Sequence, residues 1–146
     1  MPIQAATPYF HLNGRVERAI AFYERTLGAR TQALQRFGDM PGGCPDALKN
    51  RVMHAELRVG DALLMMSDGP QDLPMPEGGH IMSVALAFDD PAELRRSFDA
   101  LASSGQVIAP VFDAPWGGLF GAVCDEFGIS WMLNSVTKAR EPSRQR

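Results

Sequence analysis

Hydrophobic and polar positions along the chain change period at a series of Gly, Pro and Asn breaks, and each span between breaks predicts an element. Ala6 to Leu12 is short and apolar, with Tyr9 and Phe10, and it stops at Asn13-Gly14, a turn pair. It predicts a strand with Pro8 near its start, where a missing N–H is tolerated. Val16, Ala19, Ile20, Tyr23 and Leu27 then recur at helical spacing. They predict an amphipathic helix with Asn13 as N-cap and Gly28 as its stop. Thr31 to Phe37 predicts a second strand, and a Gly/Pro-rich loop runs on to Asn50. From Arg51 to Val59 the pattern alternates. Val52, His54, Glu56 and Arg58 point one way, and Met53, Ala55, Leu57 and Val59 the other. Gly60-Asp61 joins this strand to Ala62–Ser67 as a hairpin.

After the linker DGPQDLPMPEGG the order starts again. His80 to Phe88 predicts a strand. Asp89-Asp90-Pro91 opens a helix, with an Asp as cap and Pro in the first turn, and Leu94, Phe98 and Leu101 form its apolar face. Gly105 ends it. Gln106–Phe112, Leu119–Cys124 and Ile129–Asn134 follow as strands. Strand-helix-strand-strand-strand therefore occurs twice. The fold class is α+β, with two βαβββ modules, 5–68 and 80–135, joined by a linker at 69–79. Both lie in a single domain, 1–137, followed by a flexible tail, 138–146. A helix can cover one face of each sheet, and the other face must find its twin or enclose something. Two such curved sheets predict a half-open, barrel-like cup with the helices outside.

Bulk properties narrow the partners. A chain of 146 residues, 45% hydrophobic and 21% charged, has the composition of one globular domain. Its net charge of −3 opposes a phosphate-binding surface, so nucleic acid is not the expected partner. No apolar run reaches the ~20 residues that span a bilayer. The start, MPIQAATPYF, carries no export signal, and two cysteines make no disulfide framework. A cytoplasmic protein with a small-molecule ligand fits these features.

His54 and Glu56 share one face of their strand, with side-chain bases about 7 Å apart. The opposite face is apolar and should meet a helix, so the pair should face the cup. A His beside a carboxylate can be a general base, a hydrogen-bond anchor or part of an unusual metal site. The same alternation also serves a solvated sheet face. His11 is one position out of phase with Phe10 and by this register faces the helix layer, and a capped or edge-exposed histidine is the expectation. Trp116 lies between a Pro and two Gly, where an aromatic forms either the wall of a cup or a structural plug. If Met132 faces the cup, Ser130 and Asn134 share its side and Trp131 packs under a helix. Met65, Met66, Met82 and Met132 would make an adaptable apolar lining, or fill a core. Neither Cys44 nor Cys124 has a local base to activate it.

The phrases TPYFHLNGRVERAIAFYERTLGA, VMHAELRVGDALLMMSDG and FGAVCDEFGISWMLN resemble the PhnB-like branch of the glyoxalase/bleomycin-resistance group, the vicinal oxygen chelate superfamily. The resemblance covers about residues 5 to 135. It implies paired βαβββ modules around a cup, and often a dimer. It also implies a metal held by His, Gln or Glu on the first and last strands of each module. The matching positions here are Pro8, Met65 or Met66, Ser83 and Met132, and none suits a divalent cation. No metal and no cofactor are therefore expected. A methyltransferase label carried by some of that branch finds no support, because no Gly-rich strand-to-helix turn is present. The expected ligand pocket comprises His54, Glu56, Met66, Ser83, Trp116, Phe120, Met132 and Asn134, with no catalytic residue assigned. Three functions remain open: a metal-free small-molecule binder, an enzyme using His54 and Glu56, and a subunit with a filled cup. Exposed sheet edges add to the expectation of a homodimer.

Overall fold

A computed structural model of the chain describes residues 3–74 and 82–135. The chain forms two compact units, divided in the stretch between those spans. The first contains β1 (Tyr9–His11), α1 (Val16–Leu27), β2 (Arg30–Arg36), β3 (Val52–Val59) and β4 (Ala62–Ser67), with two short 3-10 turns in the loop before β3. The second contains β5 (Val84–Phe88), α2 (Pro91–Ala102), β6 (Gln106–Asp113), β7 (Leu119–Cys124) and β8 (Ser130–Ser135). The strand orders are β1-β4-β3-β2 and β5-β8-β7-β6. In each unit the first strand lies parallel to the last, and the hairpin strands pair antiparallel. The fold is therefore α+β, a βαβββ module used twice. His80 and the tail from 138 lie outside the described residues, and strand five is described only from Val84.

The helices form where the spacing puts them. Val16, Ala19, Ile20 and Tyr23 are buried in unit one, with Ala55 and Leu57 of β3 and Leu64 and Met66 of β4. In unit two Leu94, Phe98 and Leu101 of α2 are buried with Val123, Trp131 and Leu133. Each fully buried side chain of this size contributes about 2 kcal/mol. Gly28 ends α1 in the left-handed region, at φ 67°. Gly105 has a different reason: a Cβ there would stand 2.1 Å from the Cys124 carbonyl oxygen, so only glycine lets the chain after α2 pass the end of β7.

The start of α1 departs from expectation. Asn13 is not the N-cap. It sits at φ 51° in the turn, and its side chain bonds both the N–H and the C=O of Leu73. The residue at the cap position, Arg15, makes no side-chain cap bond. The Val16 N–H is instead satisfied by Asp68 Oδ1 at 3.0 Å. The other oxygen of Asp68 accepts from Val52 N at 3.0 Å, and the Asp68 N–H donates to the Val52 carbonyl at 2.8 Å. One buried carboxylate thus joins the start of α1, the start of β3 and the end of β4. Asp125 does similar work in unit two. It accepts from Phe127 N, Ile129 N and Trp131 Nε1, closing the β7–β8 turn over the buried indole.

Asp68→Ala leaves two buried N–H groups without their acceptor, at a cost of about 2–4 kcal/mol. The expected outcome is a thermal midpoint about 5–12 °C lower, followed by circular dichroism. A shift within about 2 °C would show that Asp68 does not hold these elements together.

Candidate functional site

Alternation along the strands decides which side chains share a surface. In unit one Tyr9, Met65 and Glu56 lie in one cross-strand row, and Phe10, Met66 and Ala55 in the next. The second row faces α1: Met66 and Ala55 are fully buried. The first row faces away from α1. Met66 therefore does not join His54 and Glu56, and the expectation for it is corrected by one register step, which puts Met65 on their face. Pro8 precedes β1 and contributes only its carbonyl, which accepts from Met65 N at 3.0 Å. His11 has the edge exposure expected of it, but not the face. It is exposed on the Tyr9 side, its ring centroid 5.4 Å from that of Tyr9.

On this face the polar groups form one continuous chain. The Tyr9 hydroxyl is 2.9 Å from His54 Nδ1, and His54 Nε2 is 3.0 Å from Glu56 Oε2. The carboxylate can only accept, so Nε2 carries a proton and, in the neutral ring, Nδ1 accepts from Tyr9. Gln32 Nε2 donates to Glu56 Oε1 at 3.1 Å, and Arg58 Nε donates to Gln32 Oε1 at 2.8 Å. Gln32 reaches Glu56 because β2 bulges there: Thr31 pairs with Leu57 and Ala33 with Glu56, leaving Gln32 out of the ladder. The hydrogen bonds from His54 and then Gln32 hold the Glu56 carboxyl below its ordinary value. Neither Tyr9 nor Gln32 was among the expected residues. The Tyr9 signal is visible in sequence as an aromatic at the period of His11, but the bulge has no sequence mark.

In unit two Ala85, Met132 and Ala122 share a row, as do Ala87, Asn134 and Phe120. Gly121 packs against Phe98 of α2, so Phe120 and Ala122, one step away, point from the helix. Met132 is 36% exposed, Trp116 54% and Phe112 44%. Trp116 and Phe112 each meet Phe120 edge-on, at 6.1 and 5.9 Å between centroids. At that exposure Trp116 is no buried plug. Ser83, just before β5, shares a hydrogen bond of 2.8 Å with Ser130, and Asn134 Nδ2 reaches the Leu86 carbonyl at 3.4 Å. Ser83, Trp116, Phe120, Met132 and Asn134 thus come together on one surface, with Phe112 added. Trp131 is fully buried on the other side. Burial, and then the Asp125 carboxylate, push the Cys124 thiol up, away from reactivity. Among the described residues no three His, Cys, Asp or Glu side chains gather as a metal site, and no helix is long and apolar enough to cross a membrane.

A model of the glyoxalase/bleomycin resistance protein/dioxygenase superfamily matches residues 11–133. The chain belongs to that superfamily. It is 34% identical to protein YjdN of Escherichia coli K12 over 143 residues, which covers 89% of this chain and 94% of YjdN. The crystal structure of protein PA1353 from Pseudomonas aeruginosa is similar at 36% identity and a TM-score of 0.76, covering 92% of this chain and 98% of that one. The PhnB protein from Bacillus cereus shares the fold, at 22% identity and a TM-score of 0.76, over 91% of this chain and 100% of its own. The resemblance seen in the sequence and the fold of the superfamily therefore agree.

The lowered carboxyl of Glu56 gives a pH dependence with a definite sign. Its stabilising bonds are fully present above the ordinary carboxylate value of 4.5 and are lost as pH falls through the lowered one. Thermal midpoints measured from neutral to acid pH should fall more steeply for the wild type than for Glu56→Gln. Parallel curves would show that the carboxylate is not held by His54 and Gln32.

Proposed function

We propose that this protein binds a small, largely apolar or aromatic molecule without the divalent metal used elsewhere in the superfamily. The observation that carries this is the face of unit two. Trp116, Phe112 and Met132 present exposed rings and a thioether around the half-buried Phe120, beside the polar Ser83 and Asn134. Such a mixture of aromatic walls and a few polar groups suits a small organic ligand. The positions that correspond to the superfamily's metal ligands support the metal-free reading by their chemistry. They hold a proline, thioethers and a serine, where hard or borderline cations take imidazole or carboxylate. His54 offers no lone pair either, because both ring nitrogens are engaged. The two modules are taken as one domain, in the cytoplasm, with no nucleic-acid partner. A homodimer would cover edges such as β6, where Val107 and Ile108 are exposed.

A second reading is favoured by one specific observation, the hydrogen-bonded His54–Glu56 pair. It makes the protein an enzyme of the lyase, isomerase or dioxygenase class that moves a proton at that pair, with or without a non-standard metal.

Two measurements test the first reading. Elemental analysis of protein purified without a histidine tag should find near-zero divalent metal per chain, unchanged after soaking in zinc, nickel, manganese and iron. About one ion per chain would overturn it. Anilinonaphthalene sulfonate, an aromatic probe, should quench the exposed Trp116, while the buried Trp131 stays bright. Phe120→Ala should weaken that binding at least about five-fold, near 1 kcal/mol. Equal affinity in Phe120→Ala and Trp116→Phe would remove this face from ligand binding.

A further inference from the structure

The polar chain on unit one ends at an exposed residue. Tyr9 is 42% exposed, while the His54 and Glu56 side chains behind it are 27% and 25% exposed. Both nitrogens of His54 are occupied, Nδ1 by the Tyr9 hydroxyl and Nε2 by Glu56, so the imidazole cannot meet a substrate directly. Tyr9 is the most exposed of these three, and its phenolic oxygen, which gives its proton to Nδ1, keeps lone pairs for a further partner. Hydroxyl, imidazole and carboxylate in series are the parts of an acid–base triad, in which the hydroxyl reacts, the ring takes its proton and the carboxylate holds the resulting cation.

We propose that Tyr9, His54 and Glu56 form such a triad, with the Tyr9 hydroxyl as the catalytic group that exchanges a proton with a small-molecule substrate. The proposal deepens the second reading above, from which it takes the His54–Glu56 pair, and it is independent of ligand binding on unit two. In the forward step the substrate proton passes to the Tyr9 oxygen as the Tyr9 proton passes to His54 Nδ1. The electron pair stays on the substrate, and the imidazolium forms against the Glu56 carboxylate. The substrate class is a weak carbon or oxygen acid whose conjugate base carries its charge on oxygen. His54 and Glu56 are positioning residues that act through Tyr9. The other groups around the triad are Met65 of β4, Gln32 of β2, Arg58 of β3 and the His11 ring on β1. Gln32 and Arg58 anchor Glu56 from behind and keep it turned toward the imidazole.

The chain suits a test that needs no substrate. It has two tyrosines, and Tyr23 is fully buried, so a phenol-directed reagent reports on Tyr9. Benzenesulfonyl fluoride forms a sulfur–oxygen bond at the phenol as the sulfur–fluorine bond breaks. Fluoride leaves, and the phenol proton passes to His54 and on to water. The rate of labelling, followed by intact mass and peptide mapping on the full chain, should fall at least about ten-fold in His54→Gln and several-fold in Glu56→Gln. The acid limb of the wild-type pH profile should vanish in His54→Gln. His11→Gln, which changes a neighbouring ring outside the triad, should stay within about two-fold. Equal rates in wild type and His54→Gln, no label at Tyr9, or a fall in His11→Gln as large as in His54→Gln would each overturn the proposal. Should His54→Gln fail to fold, Glu56→Gln decides alone. It keeps an oxygen that accepts from Nε2 but loses the charge, and a wild-type rate and profile there would refute the triad. Loss of dye binding on unit two with labelling intact would sink only the binding reading, and the converse only this one.

Discussion

A single buried carboxylate, that of Asp68, ties together the ends of the three elements that carry the surface of unit one. Its two oxygens accept from Val16 and Val52, and its own N–H donates to the Val52 carbonyl. Asp68 is thereby held at the start of β3, just beyond the regular ladder that β3 and β4 form from Ala55 to Val59. Glu56 falls opposite Met65 and Ala55 opposite Met66. Sheets have a side-chain period of two, so a slip of one residue would exchange the two faces. Burying a carboxylate is costly unless each lone pair is used, and here it gathers backbone donors that would themselves be unsatisfied. The cap that the sequence places on Asn13 is taken over by a residue far along the chain. Asn13 is thereby released to hold the segment at Leu73.

The same constraint explains what could be read in advance. The double βαβββ order was legible because helices and strands have different hydrophobic periods, and both hairpins carry turn residues at their joints. The stop at Gly28 and the start at Pro91 were legible because they are local. Met66 was misplaced because two adjacent methionines look alike to any pattern, and only the pairing of β4 with its neighbours β1 and β3 separates them. The exposure of His11 was legible but its face was not: β1 is three residues long, too short for alternation to fix its phase. Gln32 could not be found at all. It reaches Glu56 through a bulge, and a bulge depends on both strands at once. The surface of unit two was read more fully, since Phe120, Met132 and Asn134 lie on regular strands whose phase is set by buried Trp131 and Leu133.

Two modules with one topology carry opposite chemistry. Unit one exposes a connected polar row, from Tyr9 through His54 and Glu56 to Gln32 and Arg58. Unit two exposes rings, a thioether and two small polar groups. The backbone does not require this difference, because strand order and pairing are the same in both. What it requires is only that alternate residues of each strand match the helix. The remaining positions are free to vary, which is why a shared fold fixes so little of the chemistry.

That freedom has a limit, visible in how the polar row is built. A hydrogen bond on a solvated sheet face contributes little to stability, because water competes for both partners. The row from Tyr9 to Arg58 is nevertheless joined at every step, and the joints come from three strands and one bulge. Its geometry also orders the groups chemically. The anchoring end is a carboxylate held by an amide, the middle is an imidazole with one donor and one acceptor position in use, and the free end is a phenol. A row that served only to solvate the sheet would have no need of direction, since any polar residue at these positions keeps that face wet. Direction is what proton movement requires: an acceptor that stays charged at one end, and at the other the oxygen of an exposed residue, whose proton already points inward.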